Sequence, residues 1–72
     1  MIKNKLRIIL AERDISIKKL AEITDIRYAT LYAFVKGKTN SADFTMLNKI
    51  CKFLNITPGD ILEYIPEEEQ KE

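Results

Sequence analysis

Histidine is missing from this chain of 72 residues, and cysteine occurs only once. Without histidine the chain lacks the side chain that ordinarily acts as a general base near neutral pH. Cys51 has no histidine partner for nucleophilic chemistry and no second cysteine for an internal disulfide, which fits a reducing compartment. The acidic residues show no metal-binding spacing. The sequence therefore predicts a cytoplasmic protein that is not an enzyme and needs no metal or cofactor.

Long apolar runs are missing as well. No run of about 18 apolar residues is present, so the sequence predicts no membrane-spanning helix. The basic N-terminal stretch is not followed by an apolar segment and a cleavage site, which argues against a signal peptide. Apolar residues still make up 46% of the chain, which is enough for one small core. We expect one domain over residues 1–66, followed by a charged tail over residues 67–72.

Charge is unevenly distributed along the chain, although the formal net charge is only +1. Residues 1–40 carry nine basic and four acidic side chains, net +5, whereas residues 41–72 carry three and seven, net −4. Such an asymmetry indicates an anionic partner for the first part of the chain. Solvated helix faces are the alternative interpretation of the same charges.

Five segments show the apolar periodicity of amphipathic helices, and none shows a strand pattern of any strength. Capping residues support their boundaries: Ser16 and Asp43 are the first residues of predicted helices, Thr57 precedes one, and Gly37 follows one. The predicted helices cover residues 2–12, 16–24, 28–36, 43–54 and 58–64.

The apolar stripes of these helices predict which side chains are buried. They place Ile23 of the second helix and Phe44 of the fourth helix in the core. Cys51 falls on the same stripe as Phe44, and we interpret it as a small core residue. A redox-sensing thiol is the alternative for Cys51.

The second and third predicted helices are joined by only Asp25 and Ile26, which leaves room for no more than a tight turn. That turn requires a left-handed residue, a conformation that aspartate tolerates better than most residues do. Two short helices joined in this way form a helix-turn-helix, which lays its second helix in the major groove of DNA. The sequence therefore predicts double-stranded DNA as the partner.

The third predicted helix directs its apolar residues to one side and a second set of residues to the other. Residues near the N-terminal end of such a helix normally reach base edges. The predicted base contacts are Arg27, Tyr28, Ala29, Tyr32 and Ala33. Two alternatives remain: Tyr28 and Tyr32 form an aromatic pair that covers the helix, and Arg27 binds a phosphate or only solvent.

Phosphate contacts are predicted at the start of the second helix and in the loop after the third. Backbone N–H groups at a helix N-terminus favour an anion, and the lysines nearby add positive charge. The predicted phosphate contacts are Ser16, Ile17, Lys18, Lys36, Lys38, Thr39 and Asn40. Solvation is the alternative role for any single lysine, whereas the clustered set favours DNA.

Several short motifs lie at characteristic distances from one another over about residues 3 to 65. They are Leu20-Ala21, Asp25, Leu31, Gly37-Lys38, the series Leu47, Ile50, Leu54 and Ile56, and Asp60-Ile61-Leu62. In combination they resemble the Cro and lambda-repressor-like family of small bacterial and phage regulators. The resemblance implies an all-α, five-helix, lambda-repressor-like fold with its helix-turn-helix at helices 2 and 3. It also implies a sequence-specific transcriptional regulator, in the repressor role, that occupies an operator.

The chain departs from the family pattern at three positions. Ile17 stands where family members often carry a polar residue that meets a phosphate. Val35 stands where a glutamate often pairs with an arginine of the first helix, so we expect Val35 and Leu10 to form an apolar contact instead. Asp25 replaces the usual glycine of the turn. The first departure weakens one DNA contact, and the other two concern stability.

Specific DNA binding by so small a unit usually requires two copies on a palindromic site. We therefore expect a homodimer that is held by the fifth helix and by spare apolar groups at Tyr64 and Ile65. The alternative function is a protein-interaction module on the same fold. It would be an antitoxin-like or adaptor protein whose fourth and fifth helices bind another protein.

Overall fold

A computed structural model describes residues 1–39 and 41–66. Within these ranges the chain forms five helices and one two-stranded sheet. In chain order they are β1 (Ile2–Asn4), α1 (Leu6–Glu12), α2 (Ile17–Thr24), α3 (Tyr28–Val35), α4 (Phe44–Leu54), α5 (Pro58–Ile61) and β2 (Leu62–Tyr64). None of these helices has the length and apolar character needed to cross a bilayer. The tail predicted over residues 67–72 lies outside the described residues.

The all-α prediction is wrong at the two ends of the domain, where β1 and β2 pair antiparallel. The register places Ile2 opposite Tyr64 and Asn4 opposite Leu62. The N–H of Ile65 extends the pairing by donating to the carbonyl of the first residue over 2.7 Å. The observed α1 therefore begins four residues later than predicted, and the observed α5 ends three residues earlier than predicted.

Asn4 explains why α1 does not extend back to residue 2. Its side-chain oxygen accepts a hydrogen bond from the N–H of Leu6 (2.8 Å), one of the donors that a helix start leaves unsatisfied. Its side-chain nitrogen donates to the carbonyl of Phe34 (2.6 Å). The same side chain thus starts α1 and holds β1 against the C-terminal end of α3.

The connection between α2 and α3 follows the prediction closely. Ser16 caps α2 by accepting a hydrogen bond from the N–H of Lys19 (3.0 Å). Asp25 ends α2 in the left-handed conformation with φ 59°, and the N–H of Ile26 donates to the carbonyl of Ala21 (3.2 Å). Because the turn reverses the chain so tightly, α3 lies directly against α2, which also packs against α4.

One apolar core joins the helices. Its buried residues come from α1 to α5, and the fully or almost fully buried set is Leu6, Leu10, Leu20, Ala21, Leu31, Phe34, Val35, Met46, Leu47, Ile50, Leu54 and Ile61. Leu10 and Val35 both belong to this core. Their direct contact stays a prediction.

Two residues that we expected in the core are exposed. Ile23 is 43% exposed because α2 turns Thr24 inward instead, and the Thr24 hydroxyl donates to the carbonyl of Leu20 over 2.6 Å. Phe44 is 87% exposed because it is the first residue of α4, and side chains at a helix start lean beyond its end. Met46, two residues further along α4, is buried.

The predicted start of α5 is confirmed, and it carries an ionised cap. Thr57 and Asp60 form a capping box in which the N–H of Thr57 donates to the Asp60 carboxylate over 2.9 Å. This hydrogen bond, with a second one from the Thr57 hydroxyl, lowers the pKa of Asp60 below its ordinary value. The folded state therefore favours the carboxylate form of Asp60 over the protonated form.

The capping box predicts a pH dependence of stability. Since the folded-state pKa of Asp60 is lowered, its stabilisation is present above the ordinary carboxyl pKa of 3.8 and is lost as pH falls through the folded value. We expect the urea midpoint to drop less between about pH 6 and about pH 3 in Asp60→Asn than in the wild type. Glu22→Gln, at an exposed site, is the control. Equal drops in all three proteins would contradict the prediction.

Candidate nucleic-acid interface

The outward side of α3 consists of residues that do not contribute to the core. Leu31, Phe34 and Val35 are buried on the inner side of this helix. The five predicted base-contacting residues all lie away from that side. Arg27, Tyr28 and Ala29 are exposed, and Tyr32 and Ala33 are half-buried. The prediction of two different sides on this helix is therefore confirmed, although α3 ends at Val35, one residue earlier than predicted.

An aromatic and basic cluster covers the outward side of α3. The rings of Tyr28 and Tyr32 lie 5.7 Å apart between centroids at an interplanar angle of 34°. The ammonium groups of Lys36 and Lys38 lie 5.6 Å and 6.0 Å from the centroid of Tyr32. The aromatic pair that was the alternative interpretation is thus present, and it leaves half of the Tyr28 surface exposed.

Gly37 directs the loop after α3. It has φ 73°, a conformation that disfavours other residues, and its N–H donates to the carbonyl of Phe34 (3.1 Å). The N–H of Lys38 donates to the carbonyl of Ala33 (2.8 Å), so the chain folds back over the last turn of the helix. Thr39 is half-buried, and its hydroxyl accepts from the N–H of Ser41 (3.3 Å). The predicted contact Asn40 lies outside the described residues.

At the start of α2, only backbone N–H groups can donate to a phosphate at Ile17, because the isoleucine side chain has no donor. The Ile17 side chain is half-buried and packs against the core. The N–H groups of Ile17 and Lys18 belong to the first helical turn, which has no acceptor within the helix. The Lys18 side chain is exposed. The structure thus places a helix N-terminus and one lysine at the position predicted to bind phosphate.

A groove beside the C-terminal end of α3 was missed by the sequence analysis. It encloses about 760 Å³, and its lining includes the basic residues Lys3, Arg7 and Lys36 together with Phe34 and Leu47. The sequence predicted a helix over residues 2–4, which did not bring Lys3 beside α3. Pairing between the ends of the domain brings β1 to α3, and no local sequence pattern reports such a pairing.

Cys51 lies at the edge of the core, half-buried on α4. Burial raises the pKa of its thiol, and the nearby carboxylate of Asp60 raises it further. Because the thiolate is the reactive form, a raised pKa favours the interpretation of Cys51 as a structural residue over that of a redox sensor.

Residues 5–67 match the family model of the Cro/C1-type helix-turn-helix (HTH) DNA-binding domain. The chain belongs to this family. It is also 39% identical over 62 residues to YozG of Bacillus subtilis (strain 168), which is described as an uncharacterised HTH-type transcriptional regulator. That similarity covers 86% of this chain and 74% of YozG.

Membership of the Cro/C1-type family identifies the partner and the biological role. The chain is a DNA-binding transcriptional regulator, and its partner is double-stranded DNA. The predictions of function and partner class are therefore confirmed at this level. For a Cro/C1-type regulator, the outward side of α3 and the basic groups around it are the natural candidates for the DNA-binding surface.

Proposed function

We propose that α2, the turn at Asp25 and α3 form the helix-turn-helix of this regulator, with α3 in the major groove. One observation carries the proposal: α3 buries its apolar side completely and leaves its other side to aromatic, small and basic residues. A helix that enters the groove needs such a free side, and the neighbouring lysines supply the charge that holds the helix on the backbone.

The base contacts in this arrangement come from the N-terminal part of α3. Arg27 stands at the helix start and reads guanine through two of its guanidinium N–H donors. The methyl groups of Ala29 and Ala33 keep the helix close to the base edges and contact thymine methyl groups. Tyr28 and Tyr32 reach bases or the adjoining backbone through their hydroxyl groups. These five residues remain the proposed base-reading set.

The phosphate contacts flank α3 on both sides. On one side lies the start of α2, where Ser16 and Lys18 accompany the N–H groups of the first turn. On the other side lie Lys36, Lys38 and Thr39, which follow α3 in the chain. Ile17 takes part through its backbone alone, so this contact is weaker than one made by a polar side chain. Asn40 completes the proposed set.

Two variants separate these two kinds of contact. Lys38→Ala is expected to weaken binding to all duplexes about equally and to reduce the salt dependence by about one released counterion. Arg27→Ala is expected to relax the base preference at one position, at a cost of about 1–3 kcal/mol for the preferred site. The measurements are selection of bound fragments from random duplex DNA and titration at several salt concentrations. Lys52→Ala on α4 is the charge control.

Failure of this experiment would favour the alternative function. If neither variant changes DNA binding and the affinity of the wild type does not depend on salt, the proposed surface is wrong. The DNA contacts would then lie elsewhere on this regulator, and an antitoxin-like or adaptor role, with a protein bound through α4 and α5, would be the next function to test.

The proposed regulator acts in the cytoplasm as a homodimeric repressor that blocks polymerase at a palindromic operator. Several exposed apolar side chains support a self-association surface near the sheet. Phe44, Ile2 and the first methionine are among the residues that line the groove beside α3, and Tyr64 lies opposite Ile2 in the sheet. Exposed apolar side chains that cluster on one surface often mark a protein-protein contact. This surface replaces the predicted fifth-helix interface, because Tyr64 belongs to β2.

If the homodimer forms through this surface, a charge introduced there should weaken the association of the two copies. Phe44→Lys is expected to shift the protein toward the monomer without loss of stability, because Phe44 is exposed and lies outside the core. Sedimentation of the free protein and of its operator complex measures the effect. Thr45→Lys, at the next exposed position of α4, is the matched control. A wild type that binds DNA tightly as a monomer would contradict the homodimer.

A further inference from the structure

Tyr32 lies at the centre of the cluster on α3. Its ring is in contact with Tyr28 on one side, and two ammonium groups approach it within about 6 Å. We propose that Tyr32 is a positioning residue whose ring holds Lys36 and Lys38 together for the same stretch of DNA backbone. This inference rests on the proposed function, which assigns both lysines to phosphate contacts.

The two lysines reach the ring by different routes. Lys36 lies four residues after Tyr32, so the helix itself places the two side chains one above the other. Lys38 reaches the ring because the chain reverses at Gly37 and the N–H of Lys38 bonds to the carbonyl of Ala33. The Tyr28 ring supports the Tyr32 ring at a centroid distance of 5.7 Å.

The arrangement prepares both ammonium groups for an anion. A lysine side chain has many rotamers, and fixing it in a complex costs conformational entropy. A lysine already held over an aromatic ring loses less freedom when it binds, so the complex gains affinity from preorganisation. The ammonium N–H groups that point away from the ring remain available to phosphate oxygens. The ring therefore contributes to the affinity for every duplex, independently of the base sequence.

Two variants distinguish this positioning role from base reading. Tyr32→Phe keeps the aromatic ring and removes the hydroxyl, whereas Tyr32→Leu removes the ring and keeps an apolar side chain of helical preference. If the ring positions the lysines, the two variants differ in their affinity for duplexes of unrelated sequence. If Tyr32 acts only through its hydroxyl, both variants lose sequence preference to the same extent and keep the same non-specific affinity.

The first measurement needs no DNA. In the free wild type, ring-current effects are expected to shift the ε-methylene protons of Lys36 and Lys38 upfield of those of Lys52, which is exposed on α4. The shift should persist in Tyr32→Phe and disappear in Tyr32→Leu. Lysine signals in the wild type that coincide with those of Lys52 would overturn the inference, whether or not the variants fold.

The second measurement is binding to a duplex of unrelated sequence at several salt concentrations. Tyr32→Leu is expected to lower the affinity roughly fivefold and to weaken its salt dependence, and Tyr32→Phe is expected to resemble the wild type. Lys36→Ala and Lys38→Ala should each lower the affinity less in the Tyr32→Leu background than in the wild type, because the ring couples them.

The outcomes separate the inference from the function on which it rests. If the lysine variants weaken DNA binding and Tyr32→Leu does not, the positioning role is overturned and the proposed phosphate contacts stand. If none of the variants at positions 32, 36 and 38 changes DNA binding, the assignment of this surface to DNA fails and the inference fails with it. Equal losses in Tyr32→Phe and Tyr32→Leu would also overturn the positioning role.

Discussion

Replacement of Phe34 with alanine is expected to lower the free energy of unfolding by about 3–5 kcal/mol. Phe34 is buried in the core on the inner side of α3. Removing its ring loses the transfer free energy of the aromatic group and leaves a cavity that the surrounding helices fill only in part. A domain of this size has a total stability of about 4–11 kcal/mol at typical values per residue. The loss is a large share of that total, so the variant should unfold at a much lower urea concentration than the wild type.

The chain contains a matched control for this variant. Phe44→Ala makes the same chemical change at an exposed position, and it is expected to change the stability by less than about 0.5 kcal/mol. Urea titration of both variants, followed by circular dichroism, measures the difference. Similar midpoints for the two variants would show that the core is not where the structure places it.

Leu10→Arg is the second variant with a large expected effect. Leu10 is buried on α1, and a guanidinium there loses its hydration without gaining a carboxylate partner. We expect a loss of about 3 kcal/mol or more in the free energy of unfolding. Ala11→Arg adds the same side chain at the next position, which is exposed, and it should leave the stability nearly unchanged.

A double variant tests the predicted contact between Leu10 and Val35. Resemblance to the family implies that an arginine and a glutamate often occupy these two positions as a pair. If the two side chains touch, the double variant Leu10→Arg/Val35→Glu should lose less free energy of unfolding than the two single variants lose in sum. Additive losses would show that the two residues share the core without contact. Thermal unfolding of the four proteins completes the cycle.

Local signals were sufficient to predict most helix boundaries. Ser16 and Asp43 act on backbone groups within a few residues, so their roles can be predicted without knowing the rest of the fold. The same holds for the left-handed residue Asp25 between α2 and α3. The outward side of α3 was also predictable, because the helical period alone separates its two sides.

The sheet could not be predicted from local patterns. β1 and β2 are three residues each, too short to show a clear alternation of apolar and polar residues. Their pairing depends on the helices, which bring the two ends of the domain together. Ile23 and Phe44 were misplaced for a related reason. Both lie at the margin of an apolar stripe, where the neighbouring elements rather than the period decide burial.

The candidate site was predicted as a set of residues but not as an arrangement. The helical period places Tyr28, Tyr32 and Lys36 on one side of α3. The return of Lys38 to the Tyr32 ring requires the chain reversal at Gly37 and the position of the following loop. A sequence pattern does not give distances between side chains across a loop. The approach of both lysines to the Tyr32 ring therefore required the three-dimensional structure.

The pairing of β1 with β2 also bears on how the chain folds during synthesis. The amino group of the first residue donates to the carbonyl of Ile65, which is 64 positions away (2.6 Å). On the ribosome, β1 is synthesised long before β2 and stays unpaired until β2 has been added. The helical core has local contacts and can form early, whereas the sheet closes a loop that spans nearly the whole domain. A chain that ends within α5 lacks β2, so β1 has no strand to pair with.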